Sequence, residues 1–118
     1  MATESANAPS RHKERMITFE ITTPSPLPVG QQVFISGNIE ALGAWRPDGF
    51  PLTRLDDNLW TGYTVIEQNA DVEFKVTRGT WSTEEVEAGG GVRAANHILP
   101  RRGDIAFRHA VPRWLDRD

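Results

Sequence analysis

From Met16 the chain alternates: Ile17, Phe19 and Ile21 fall on one side, Thr18, Glu20 and Thr22 on the other. That period of two is the mark of a half-buried β-strand. Thr23-Pro24-Ser25-Pro26-Leu27-Pro28 breaks it, because proline fixes φ and removes a donor. Residues 32–36 (QVFIS) predict a second strand, closed by Gly37. Residues 38–58, with Gly43, Pro47, Gly49 and Pro51, read as a long irregular segment. Leu59 to Ile66 predicts a strand whose facing stays open: one parity carries Trp60, Gly62, Thr64 and Ile66, the other Thr61, Tyr63 and Val65. The clearest strand follows Asn69-Ala70-Asp71, with Val72, Phe74 and Val76 expected inward and Glu73, Lys75 and Thr77 outward. Residues 79–91 read as a loop, Ala94–Leu99 as a short strand and Pro100–Gly103 as a turn. A last strand carries Ile105, Phe107 and Val111 before Pro112. No window holds a helical period beyond two turns. Six or seven short strands with frequent turn signals predict an all-β, Ig-like antiparallel β-sandwich.

Residues 1–14 show no hydrophobic period and read as a disordered tail, leaving a single domain over 15–118. The basic cluster Arg11, His12, Lys13 and Arg15 reads as part of that solvated tail, with a contact to phosphate or an acidic partner as the alternative. A net charge of −3 lacks the dominating positive field of a nucleic-acid binder. The absence of cysteine excludes disulfides and thiolate metal sites. No stretch reaches the ~20 apolar residues of a membrane helix, and residues 1–15 lack the apolar centre of a secretory signal. The expectation is a small, soluble, cytoplasmic domain.

Signs of catalysis are sparse. Glu84, Glu85 and Glu87 sit in a polar segment where charge is expected to be solvated rather than poised as an acid–base pair. No serine lies in a Gly-x-Ser-x-Gly elbow. His12, His97 and His109 show no paired-ligand spacing, and Gly89-Gly90-Gly91 lacks the Lys-Ser/Thr of a phosphate loop. The expectation is a non-catalytic domain without metal or cofactor.

The four tryptophans are more informative. Trp45 and Trp81 lie in segments of Gly, Pro and charge, so they either plug an open end of the sandwich or mark a binding surface. An indole face suits the flat C–H face of a pyranose, and the sugar hydroxyls then need polar partners at the rim. Lys75 is the sole lysine after the tail, and its three rotatable donors suit a hydroxyl cluster; Asn96 is a second rim candidate.

At these residues the sequence resembles the starch-binding domains, carbohydrate-binding module family 20. VFISGNIEALGAWRP (33–47) is similar to their apolar strand followed by Gly, a polar residue and Leu-Gly-x-Trp. DNLW (57–60) is similar to their Asp-Pro-Leu-Trp, and FKVTR (74–78) to their aromatic-Lys-aromatic-aliphatic-Arg run, followed by Trp81 and Asn96-His97. The resemblance spans roughly residues 16–111. TRGTWSTEEVEAGGG (77–91) also resembles a Thr-Arg-Gly-Ser/Thr-Trp variant found in sandwich domains attached to bacterial esterases and other enzymes.

The resemblance implies recognition of α-glucan (starch, glycogen or maltooligosaccharides) without cofactor. Trp45 and Trp81 would stack on consecutive glucose rings, with Lys75 and Asn96 bonding hydroxyls; apart from the family pattern, Glu87 is a further candidate acceptor at the same rim. Trp60 would belong to a second site in some members. Here no tyrosine precedes residue 63 to complete that site, so Trp60 reads rather as a core-edge residue. The alternative function is a protein-interaction or dimerisation module using the same aromatics, with a glucan-active enzyme or a second copy as partner.

Overall fold

The computed structural model describes residues 13–89 and 94–117. Ten short strands make up almost all of its regular structure: β1 (Glu14–Thr22), β2 (Phe34–Gly37), β3 (Phe50–Pro51), β4 (Thr53–Asp56), β5 (Leu59–Glu67), β6 (Glu73–Thr77), β7 (Glu85–Val86), β8 (His97–Ile98), β9 (Ile105–Ala110) and β10 (Arg113–Trp114). They form two four-stranded sheets, ordered β4-β5-β1-β9 and β3-β2-β6-β8, and a two-stranded ribbon of β7 and β10. This is the expected β-sandwich. One pairing departs from the antiparallel rule, because β9 returns to lie parallel to β1 in register Phe19↔Phe107. No helix among the described residues is long and apolar enough to cross a membrane.

Alternation along the strands builds the core. Ile17, Phe19 and Ile21 on β1 are buried, as are Ile35 on β2 and Phe74 and Val76 on β6. The two sheets meet through rings: Phe19 packs edge-on against Phe74 at 5.2 Å, and Phe74 against Phe107 at 4.9 Å. Such edge-to-face contacts add to the burial of the rings themselves. Pairing with β1 settles the facing of β5, since directly opposed residues share a sheet face. Ile21 opposes Trp60 and Phe19 opposes Gly62. Trp60 and Ile66 are therefore buried, while Tyr63 and Val65 face outward.

Several expectations need correction. The first strand starts at Glu14, two residues before Met16, and Arg15 belongs to it rather than to a solvated tail. Arg15 is buried, its guanidinium donating to the carbonyl oxygens of Pro100 and Ala70. The rest of the tail reading, residues 1–12, lies outside the described residues, as do Gly90 and Gly91. The segment 38–58 is not irregular throughout, because β3 and β4 form the outer edges of the two sheets. Pro51 is accommodated there because an edge strand has no ladder bond to lose on its open side. Thr77 faces in, not out. Its hydroxyl donates to the Pro47 carbonyl at 2.6 Å and accepts from the Gly79 N–H at 2.9 Å, so the buried polar group is satisfied. Beyond Pro112 the chain re-enters the structure as β10, burying Trp114 beneath the Arg78 guanidinium, 5.3 Å from the ring centroid.

Candidate functional site

The loop after β2 sets the first aromatic. Glu40–Leu42 form a single 3-10 turn, and Gly43, Ala44 and Trp45 follow with φ of 87°, 49° and 67°. Three successive left-handed residues, two of them not glycine, are costly for L-residues and persist only where the surroundings over-determine them. Here the Ala44 N–H donates to the Ile39 carbonyl at 3.0 Å, and the Trp45 N–H to the Gly37 carbonyl at 2.7 Å. Gly43 also lies against Gly49 so closely that a Cβ on Gly43 would come within 2.3 Å of the Gly49 Cα. The reversal leaves the indole of Trp45 exposed. Thr77, through Pro47, ties the same loop to the end of β6, two residues beyond Lys75.

The second aromatic sits on the 3-10 turn Trp81–Thr83 after β6. Thr80 and Thr83 close a reciprocal capping box on it, which holds a turn too short to be stable alone. Trp81 is half-buried. Trp45 and Trp81 line one concavity of about 410 Å³ together with Lys75, Glu84 and Asn96. That volume falls within the roughly 300–1,000 Å³ of small-ligand clefts.

Polar groups fix the rim. The Lys75 ammonium donates to a Glu84 carboxylate oxygen at 3.2 Å and to the Ala94 carbonyl at 2.7 Å. Two of its three donors are thus held by described residues. The Asn96 amide donates to Glu73 at 3.0 Å, which orients its carbonyl and its second N–H. The concavity thus carries two indoles and a few oriented donors and acceptors.

Four of the predicted residues are therefore brought together: Trp45, Lys75, Trp81 and Asn96. Glu87 is exposed and is not among the residues lining the concavity; the acidic residue there is Glu84. Glu84 was expected to be solvated, yet it is 1% exposed. A lone lysine on a strand face calls for a counter-ion, but nothing in Glu84-Glu85-x-Glu87 says which acid supplies it. Trp60 is 2% exposed, as a core residue, with Arg54 stacked over its ring at 5.5 Å.

Glu85, also expected to be solvated, is buried on the neighbouring ribbon. One of its oxygens meets His97 Nε2 at 2.8 Å and the other meets His109 Nε2. Burial pushes its carboxyl up, but hydrogen bonds from His109 and His97, with their charge, outweigh this and hold it below the ordinary glutamate value.

Comparison with known proteins places the chain in a family. The family model described as "Starch binding domain" matches residues 14–94. An α-amylase of Niallia circulans is 27% identical over 101 residues, covering 86% of this chain and 8% of the amylase. An amylopullulanase of Thermoanaerobacterium thermosulfurigenes is 23% identical over 104 residues, covering 85% of this chain and 5% of that enzyme. The chain thus spans less than a tenth of the length of these curated relatives. Among solved structures, the glucoamylase of Hypocrea jecorina superposes with a TM-score of 0.66 at 21% identity, over 86% of this chain and 17% of the glucoamylase. The family 20 carbohydrate-binding module of a maltotetraose-forming amylase from Pseudomonas saccharophila STB07 does so at 0.56 and 18%, over 80% of this chain and 98% of the module. With the fold and the aromatic concavity both in place, the matched span of 14–94 decides the assignment: the chain belongs to the starch-binding domain family.

Proposed function

We propose that this chain binds α-glucan non-catalytically, through the concavity that carries Trp45 and Trp81. The observation that carries the proposal is the convergence of those two indoles with Lys75 and Asn96 on one opening, in a member of the starch-binding family. Each indole offers an apolar plane to the C–H face of a glucose ring, so two stacked rings set the direction of the glucan chain. Lys75 and Asn96 then bond hydroxyls at the rim, and the Glu84 carboxylate keeps the Lys75 ammonium on station. Glycogen and maltooligosaccharides present the same α-linked glucose units and fall within the proposal.

Two stacks and a few wet hydrogen bonds on an open surface should give a Kd of roughly 10 μM to 1 mM. Such affinity becomes effective when the domain is tethered to an enzyme working on the same polymer, which raises the local concentration. The relatives in which similar domains occur are amylases and amylopullulanases. Docking of a protein on the same aromatics draws support from ring exposure alone.

Titration with maltoheptaose or β-cyclodextrin, followed by tryptophan fluorescence, tests the proposal. Saturable quenching or a spectral shift is expected, and Trp45→Ala and Trp81→Ala should each weaken it about tenfold or more, some 1.4 kcal/mol. Unchanged affinity in both variants would refute the site.

A further inference from the structure

We propose that Glu85, His97 and His109 form a binding site for a divalent transition-metal ion of the zinc type, tying together three sheets at one edge of the sandwich. The three residues are distant in sequence and come from three strands. Glu85 is on β7 of the ribbon, while His97 on β8 and His109 on β9 lie on edge strands of the two main sheets. Each offers one ligand atom, and the three atoms lie within 4.8 Å of one another. His97 Nε2 is 2.8 Å from one Glu85 oxygen, and His109 Nε2 contacts the other. Both imidazoles thus aim the same nitrogen at one carboxylate.

The donor set selects the ion. Two imidazoles and a carboxylate make up the protein ligands of many three-ligand zinc sites, whereas calcium and magnesium prefer oxygen ligands throughout. Zinc bonds of about 2.0–2.2 Å put tetrahedral ligands roughly 3.3 Å apart, so ligand atoms now within 4.8 Å must shift by up to about 1.5 Å to close on an ion. The imidazoles are already held by rings. His97 packs at 5.2 Å from both Phe74 and Phe107, His109 at 5.7 Å from Phe107, and the two imidazoles are 4.5 Å apart. Glu85 is buried whereas both histidines are half-buried, so the carboxylate lies at the closed end of the cluster and the imidazoles nearer solvent. The ion would join strands that belong to three separate sheets, and so raise stability by binding only the folded chain. None of this depends on sugar binding.

The test uses the untagged full chain, stripped with EDTA and titrated with ZnCl2 by calorimetry and thermal unfolding, with Co2+ as a visible-absorption probe. One Zn2+ per chain, a higher Tm and intense tetrahedral Co2+ bands are expected. His97→Gln and His109→Gln should each weaken binding roughly tenfold or more and remove the Tm gain, while His12→Gln changes neither. Absence of stoichiometric binding, or equal binding by the His97→Gln/His109→Gln double variant, overturns the proposal, and so does loss of binding in His12→Gln. Should the glutamine variants fail to fold, the His12→Gln chain decides, since it retains two histidines only. Movement of both imidazole NMR signals with one equivalent of Zn2+ supports the site; movement of neither refutes it.

Discussion

Gly43→Ala offers a sharp test of how the fold aims Trp45. Gly43 has φ of +87°, and a Cβ there would stand 2.3 Å from the Gly49 Cα. Gly103 has a nearly equal φ of +84°, but a Cβ there would meet nothing within 4 Å. Alanine at Gly103 therefore adds only the left-handed penalty, about 1 kcal/mol. Alanine at Gly43 adds the same penalty together with a backbone overlap of more than an ångström, against a normal carbon–carbon separation of about 3.5–4.0 Å. The neighbour is backbone, so it cannot rotate away. Relieving the overlap must part the two turns and strain the Gly49 N–H to Arg46 carbonyl bond of 3.0 Å. Adding an overpacking cost of about 1–3 kcal/mol gives roughly 2–4 kcal/mol in all. Urea denaturation of both variants, with unchanged m-values, measures the difference. In a domain of this size it corresponds to a fall in Tm of roughly 10 °C or more for Gly43→Ala and about half that or less for Gly103→Ala. The sugar titration adds a second reading: Gly43→Ala should lose affinity because Trp45 lies two residues on, while Gly103→Ala should keep it. Equal destabilisation by the two alanines would refute the close-approach reasoning. Lost stability with intact sugar affinity would show that this loop does not aim Trp45.

Three further outcomes follow from the same geometry. Glu84→Gln removes the charge buried beside Lys75 and should cost about 1–3 kcal/mol in urea denaturation, tempered because Lys75 is partly solvated; it should also weaken maltoheptaose binding, and no effect on either measurement would sink the positioning role. Trp60→Ala should cost about 3–5 kcal/mol, as loss of a core ring does, whereas a stable protein with reduced sugar affinity would make Trp60 a binding residue after all. At Asp116, burial raises the carboxyl, but the hydrogen bond and charge of Arg78 outweigh it and hold it below the ordinary value of 3.8. The contribution of that pair is therefore complete above the unfolded aspartate pKa and is lost as pH falls through the lower folded value. Asp116→Asn should accordingly destabilise at pH 7, and the gap to the parent should close as acid protonates the carboxyl below its ordinary value of 3.8, where denaturation curves of the two can be compared.

Alternation alone was enough to place β1, β5 and β6 and to name the inward hydrophobic residues of β1 and β6, because a period of two is a local property of an extended chain half-buried on one face. Proline and glycine marked the breaks, and Trp45 and Trp81 stood out because their neighbours offered no apolar periodicity to absorb them. What the pattern could not contain were contacts between distant segments. Pairing with β1 chose the face of β5, and the Pro47 carbonyl turned Thr77 inward against its parity. Of three acids in four positions, packing of the ribbon gave Glu84 to Lys75 and Glu85 to two histidines, and left Glu87 in water. Residue types were legible in the sequence; their partners, and the burial of Glu84 and Glu85, were not. A side chain's type is written locally, whereas the group that compensates its burial is brought to it only when the sheets close.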